Sequence, residues 1–70
     1  MTTKNILQVW NKRNAELYIA VEEKDMDSFL AYCKEMSWLF VESFSVPFTN
    51  EKAAEFYRSG SLVRHYTPAV

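Results

Sequence analysis

The stretch Ala15–Met36, AELYIAVEEKDMDSFLAYCKEM, decides the fold. Its second half sets Met26, Phe29, Leu30, Cys33 and Met36 at steps of three and four, the period of one helical face. Asp27, Ser28, Ala31, Lys34 and Glu35 fall on the opposite side. Asp25 and Asp27 precede the apolar run, where a carboxylate caps orphan N–H groups and favours the positive end of the helix dipole. The first half admits two readings. Leu17, Tyr18, Ala20 and Val21 close the stripe of a first helix, while Leu17, Ile19 and Val21 also alternate as in a strand.

Glycine and proline tip the choice toward helix. Gly60 is the single glycine and Pro47 the first proline. A multi-stranded chain of 70 residues needs several tight turns, and such turns favour Gly, Asn, Asp or Pro. Before Pro47 only 11–14 and 24–27 offer that chemistry. The expected fold is therefore mainly α, a helical hairpin with a short third helix and an extended tail. The alternative is α+β, with strands near 16–22 and 38–46.

In the mainly α reading, Thr2 or Thr3 caps a first helix whose stripe is Ile6, Val9, Trp10, Leu17, Ala20 and Val21. Arg13 lands inside that stripe. A break in the helix, a snorkelling side chain and an interfacial ion pair each account for it. The second helix continues through Phe40, Val41 and Phe44, or else gives way to a strand, since 38–44, WLFVESF, has high β propensity. Pro47 ends the segment in both cases. Thr49 then caps a helix over 50–59, with Ala53, Phe56 and Tyr57 inward and Gly60 as a left-handed terminator. The helix pair is similar in a general way to the hairpins of tetratricopeptide-type repeats and to the opening helices of some α+β cone-shaped domains. No second copy appears at the repeat period, so no family is assigned.

Composition bounds the function classes. Residues 1–70 are expected to form one small domain, with 49% hydrophobic and 16% aromatic residues offsetting a short chain. One cysteine and one histidine leave no ordinary Cys/His metal cluster. Cys33 shares the face of Phe29 and Leu30, where a thiol behaves as a small hydrophobe. Asp25 and Asp27 alternate like calcium ligands, but the central glycine of a calcium loop is missing. No nucleophile, base and orienting acid converge, so neither an enzyme nor a cofactor is expected. The N-terminus has no secretory apolar core and no apolar run is long enough to span a membrane, so the expected compartment is the cytoplasm.

Net charge is only −1, yet it is segregated. Lys4, Lys12 and Arg13 against Glu16 give residues 1–21 a balance of +2; eight acids against three lysines give 22–55 a balance of −5; Arg58 and Arg64 return +2. Lys12, Arg13, Arg58, Arg64 and His65 make a candidate basic patch, and Trp10, Tyr57 and Tyr66 could stack on bases. A pI of about 5.7 argues against a dedicated nucleic-acid binder. The aromatic excess points instead to a protein interface, because Tyr and Trp are favoured anchors. Tyr18, Tyr32, Trp38 and Leu39 are the candidate partner-binding residues. The expected function is a non-enzymatic module that occludes or adapts a partner protein, of the kind carried by viruses and mobile elements as inhibitors or accessory factors, or that self-associates. The alternative is a nucleic-acid-associated regulator.

Overall fold

The computed structural model describes residues 3–13 and 15–68. It corrects the mainly α expectation, because the chain is α+β. Its elements are β1 (Lys4–Trp10), β2 (Glu16–Glu22), a single 3-10 turn (Glu23–Asp25), α1 (Met26–Met36), β3 (Leu39–Pro47), α2 (Asn50–Arg58) and β4 (Val63–His65). The strands form one sheet in the order β3-β1-β2-β4. β1 runs antiparallel to β2 and β3, and β4 runs parallel to β2. The two strands of the alternative reading are present, at Glu16–Glu22 and Leu39–Pro47, and β1 and β4 join them.

A chain so poor in glycine can form this sheet because the sheet needs only one hairpin. Asn11 makes it with its own side chain, Oδ1 accepting from Arg13 N at 2.9 Å and Ala15 N at 3.0 Å. Arg13 therefore lies in a turn, the first of its three explanations. The other two connections are helices. β2, β3 and β4 all run the same way, so α1 and α2 are crossovers between parallel strands. One shifts from β2 to β3 and the other from β3 back across to β4. Crossovers of one hand that shift in opposite directions must lie on opposite faces of a sheet.

The packing obeys this rule. Phe29 and Cys33 of α1 join Leu7, Val9, Ile19 and Val21 in the core on one face. On the other face Phe56 of α2 meets Tyr18 with ring centroids 4.8 Å apart, and Phe44 joins them at 5.5 Å from Tyr18. The central strands are thus covered on both sides. Ile6 and Leu7 are adjacent and both buried, as are Ile19, Ala20 and Val21. Burial on both faces erases the period of two, which is why β1 imitates a helical stripe at Ile6, Val9 and Trp10.

α1 stops at Met36 rather than running on toward Phe44. Ser37 turns left-handed at φ 60°, its N–H bonds Lys34 O, and Trp38 N–H bonds Cys33 O at 2.8 Å. That pair of bonds is a Schellman ending, which normally brings an apolar contact from the second residue past the helix. Trp38 supplies it by packing against the core that contains Cys33. Asp25 precedes α1 but makes no side-chain cap. The α2 boundary is as expected: Thr49 Oγ1 accepts from Lys52 N at 3.0 Å, and Gly60 sits at φ 87°. Tyr57, expected inward, is 73% exposed. Thr3 leads into a strand instead of capping a helix, and its O accepts from Glu23 N. The cap expected of Thr2 and the Asn14 position of the first turn fall outside the described residues. No helix among the described residues is long and apolar enough to cross a membrane.

Candidate functional site: an aromatic groove beside β4

Because α1 connects β2 to β3, it lies over the β1 side of its face and leaves the β4 edge uncovered. A groove of about 580 Å³ opens there. Ile19 is its floor; Ser28, Ala31, Tyr32 and Glu35 of α1 form one wall, and β4 with Tyr66 and Thr67 forms the other. The α1 residues recur at steps of three and four, so one polar-side stripe of the helix faces the groove.

Three aromatic rings frame it. Tyr32 and Trp38 meet edge to face at 5.5 Å and 88°. Tyr66 lies 5.6 Å from Tyr32 and stacks edge to face on buried Phe29 at 5.2 Å. The Tyr66 hydroxyl is 2.7 Å from Ser28 Oγ, which ties the end of β4 to the first turn of α1. Arg64 and Glu35 stand on opposite walls, and neither forms an ion pair with another described residue.

The four candidate partner-binding residues do not form one surface. Tyr32, 36% exposed, and half-buried Trp38 lie together in this groove. Leu39 is 68% exposed, but it starts an edge strand at the far side of the sheet. Tyr18 faces the opposite layer against Phe44 and Phe56. Its hydroxyl donates to Glu16 Oε2 at 2.7 Å. That bond to Glu16, together with burial and the carboxylate's charge, raises the phenol above its ordinary pKa, and the Gln8 amide opposes them. Tyr66 was legible only as an aromatic in a tail. Ser28 and Ala31 gave no signal, because a groove wall built from the polar side of a helix looks like solvated surface.

The basic candidates are likewise distributed. Lys12 and Arg13 occupy the hairpin turn, Arg58 ends α2, and Arg64 and His65 pair with Ile19 and Ala20. Arg64 is on the groove side. His65 points to the other face, where its Nδ1 is 3.4 Å from Lys4 Nζ and its ring is 5.4 Å from Phe48. Cys33 is buried and free, and burial raises its thiol pKa, which suppresses the reactive thiolate. The acidic 22–27 stretch holds one ion pair, Lys24 Nζ to Glu22 Oε2 at 3.4 Å. That carboxylate oxygen is buried without a hydrogen bond, so the ammonium compensates it by charge alone. Among the described residues no three His, Cys, Asp or Glu side chains gather as a metal-binding group.

No protein family, curated protein or solved structure matches this chain.

Proposed function

We propose that the protein is a binding module that docks a partner protein through the groove between α1 and β4. The observation that carries this reading is the Tyr32–Trp38–Tyr66 frame beside β4, an edge strand of the sheet. Two features support it. The rings are held by one another and by the core, so little side-chain freedom is lost on binding. Amphipathic aromatics at the rim of a concavity are also favoured interface anchors. Arg64 and Glu35 on opposite walls give an incoming chain a defined orientation. In this role the protein occludes or adapts the surface of its partner.

Site-specific photocrosslinking tests the reading. A benzophenone amino acid is placed at position 32 in the groove and, as a control, at position 57, which is 73% exposed on the opposite layer. In lysate, a discrete protein adduct from position 32 that is absent from position 57 is the expected result. Equal labelling from both positions, or none from position 32, would overturn the proposal.

A further inference from the structure

We infer that the groove's occupant enters as an extended segment of the partner, added as a fifth strand on the outer edge of β4, with a carboxylate beside Arg64. This rests on the protein-binding reading above and specifies the partner's chemistry.

The two edges of the sheet differ. β3 is long but interrupted: Gln8 pairs with Val41 and Leu7 with Ser45, so Glu42, Ser43 and Phe44 bulge out of register. Exposed Glu42 and the terminal Pro47 add a charge and a missing donor. Bulges, edge charges and prolines are the devices that close an edge to further pairing. β4, three residues long, has neither bulge nor proline, and its one charged side chain, Arg64, lies on the groove face where an acidic strand would meet it.

The backbone of β4 also fixes which groups are free. Tyr66 N–H bonds Ala20 O at 3.0 Å, toward β2. Backbone groups alternate in direction along a strand. Arg64 therefore shares the inward direction of Tyr66, and the N–H and C=O of His65 point away from β2. An added strand would use those two groups. Its side chains would alternate between faces, half of them entering the groove beside Arg64 and toward Tyr32. The lip of that groove at β4 is Arg64. The other side chains would pass His65 and Lys4, themselves 3.4 Å apart. Neither Arg64 nor Lys4 is ion-paired with another described residue, so a strand laid on β4 meets Arg64 on one face and, on the other, the Lys4 side chain that contacts His65 and Phe48. Glu35 stands on the α1 wall, which places the partner's carboxylates at β4 and an apolar side chain nearer the helix. Main-chain pairing supplies affinity in this mode and the side-chain pockets supply specificity.

The probe is a library of phage-displayed random dodecapeptides panned on the purified protein, with the enriched peptide then titrated calorimetrically. His65→Pro removes the imidazole together with the outward donor, and proline is tolerated on an edge where its nitrogen faces solvent. His65→Val removes the imidazole and keeps the donor. The expected result is an acidic peptide whose affinity falls about tenfold in His65→Pro relative to His65→Val, as for one lost backbone hydrogen bond. Arg64→Glu should weaken it further. In the wild type, exchange of the His65 amide proton should slow when peptide is added, a readout that needs no variant. Equal affinity for His65→Pro and His65→Val with an unprotected His65 amide would overturn strand addition. If Tyr32→Glu still abolishes binding in that case, the groove reading survives alone. If it does not, both fall. Failure to enrich any peptide, or a dimer of the protein built on this same edge, would also overturn the proposal.

Discussion

Tyr32 and Trp38 meet edge to face at 5.5 Å, one ring on the surface of α1 and the other anchored in the core behind it. The two residues therefore answer differently to a charge. Tyr32→Glu should cost less stability than a change at Trp38, about 0.5–1.5 kcal/mol for its ring contacts with Trp38 and Tyr66. It should also cost a groove-bound partner roughly thirtyfold in affinity, the scale of an interface hot spot. Trp38→Asp should cost about 1–3 kcal/mol of stability, because Trp38 completes the end of α1. Urea melts of both variants check the contrast. Equal destabilisation would mean that Tyr32 is structural.

Phe29 is fully buried and touches Phe40 and Tyr66 edge to face. It joins α1, β3 and the chain after β4 in one contact set. Phe29→Ala should cost about 3–5 kcal/mol, a large share of the stability of so short a chain. Urea denaturation should find the variant unfolded or close to its midpoint in water. A loss under about 1 kcal/mol would show that α1 does not hold the sheet.

Ser37 is the one described residue other than glycine with a positive φ, at 60°. A side chain at a left-handed position costs roughly 1 kcal/mol that glycine avoids. Ser37→Gly should therefore stabilise the protein by about 0.5–1 kcal/mol and raise the urea midpoint without changing the slope. Destabilisation would mean that the added freedom of the unfolded chain outweighs the relieved strain.

Tyr18 gives stability an alkaline limit. Its phenol donates to Glu16, so the folded state holds the proton more tightly than the unfolded state does. A raised pKa in the folded state contributes stability that is complete below the unfolded tyrosine value of about 10. That contribution is lost as pH climbs through the higher folded value. Thermal melts between about pH 8 and 11 should show Tm falling in the upper part of the range, and the fall should be shallower in Tyr18→Phe. An identical slope in the two proteins would place the alkaline loss elsewhere.

The sequence by itself determined the parts held together by local chemistry. The stripe from Met26 to Met36 made α1, and Thr49 and Gly60 marked α2 by a cap and a left-handed end. Both signals need only residues within a few positions of one another. The tertiary structure decided the rest. Ile6 and Leu7 are neighbours in a strand because helices cover both faces, an environment that hides alternation. Tyr18 and Tyr32 share a residue type and part company because α1 and α2 occupy opposite faces of the sheet. The groove unites Ser28 with Tyr66 and Tyr32 with Arg64, pairs set by where a crossover helix lands on the sheet. Periodicity and propensity act along the chain; which faces meet is fixed only when the strands pair.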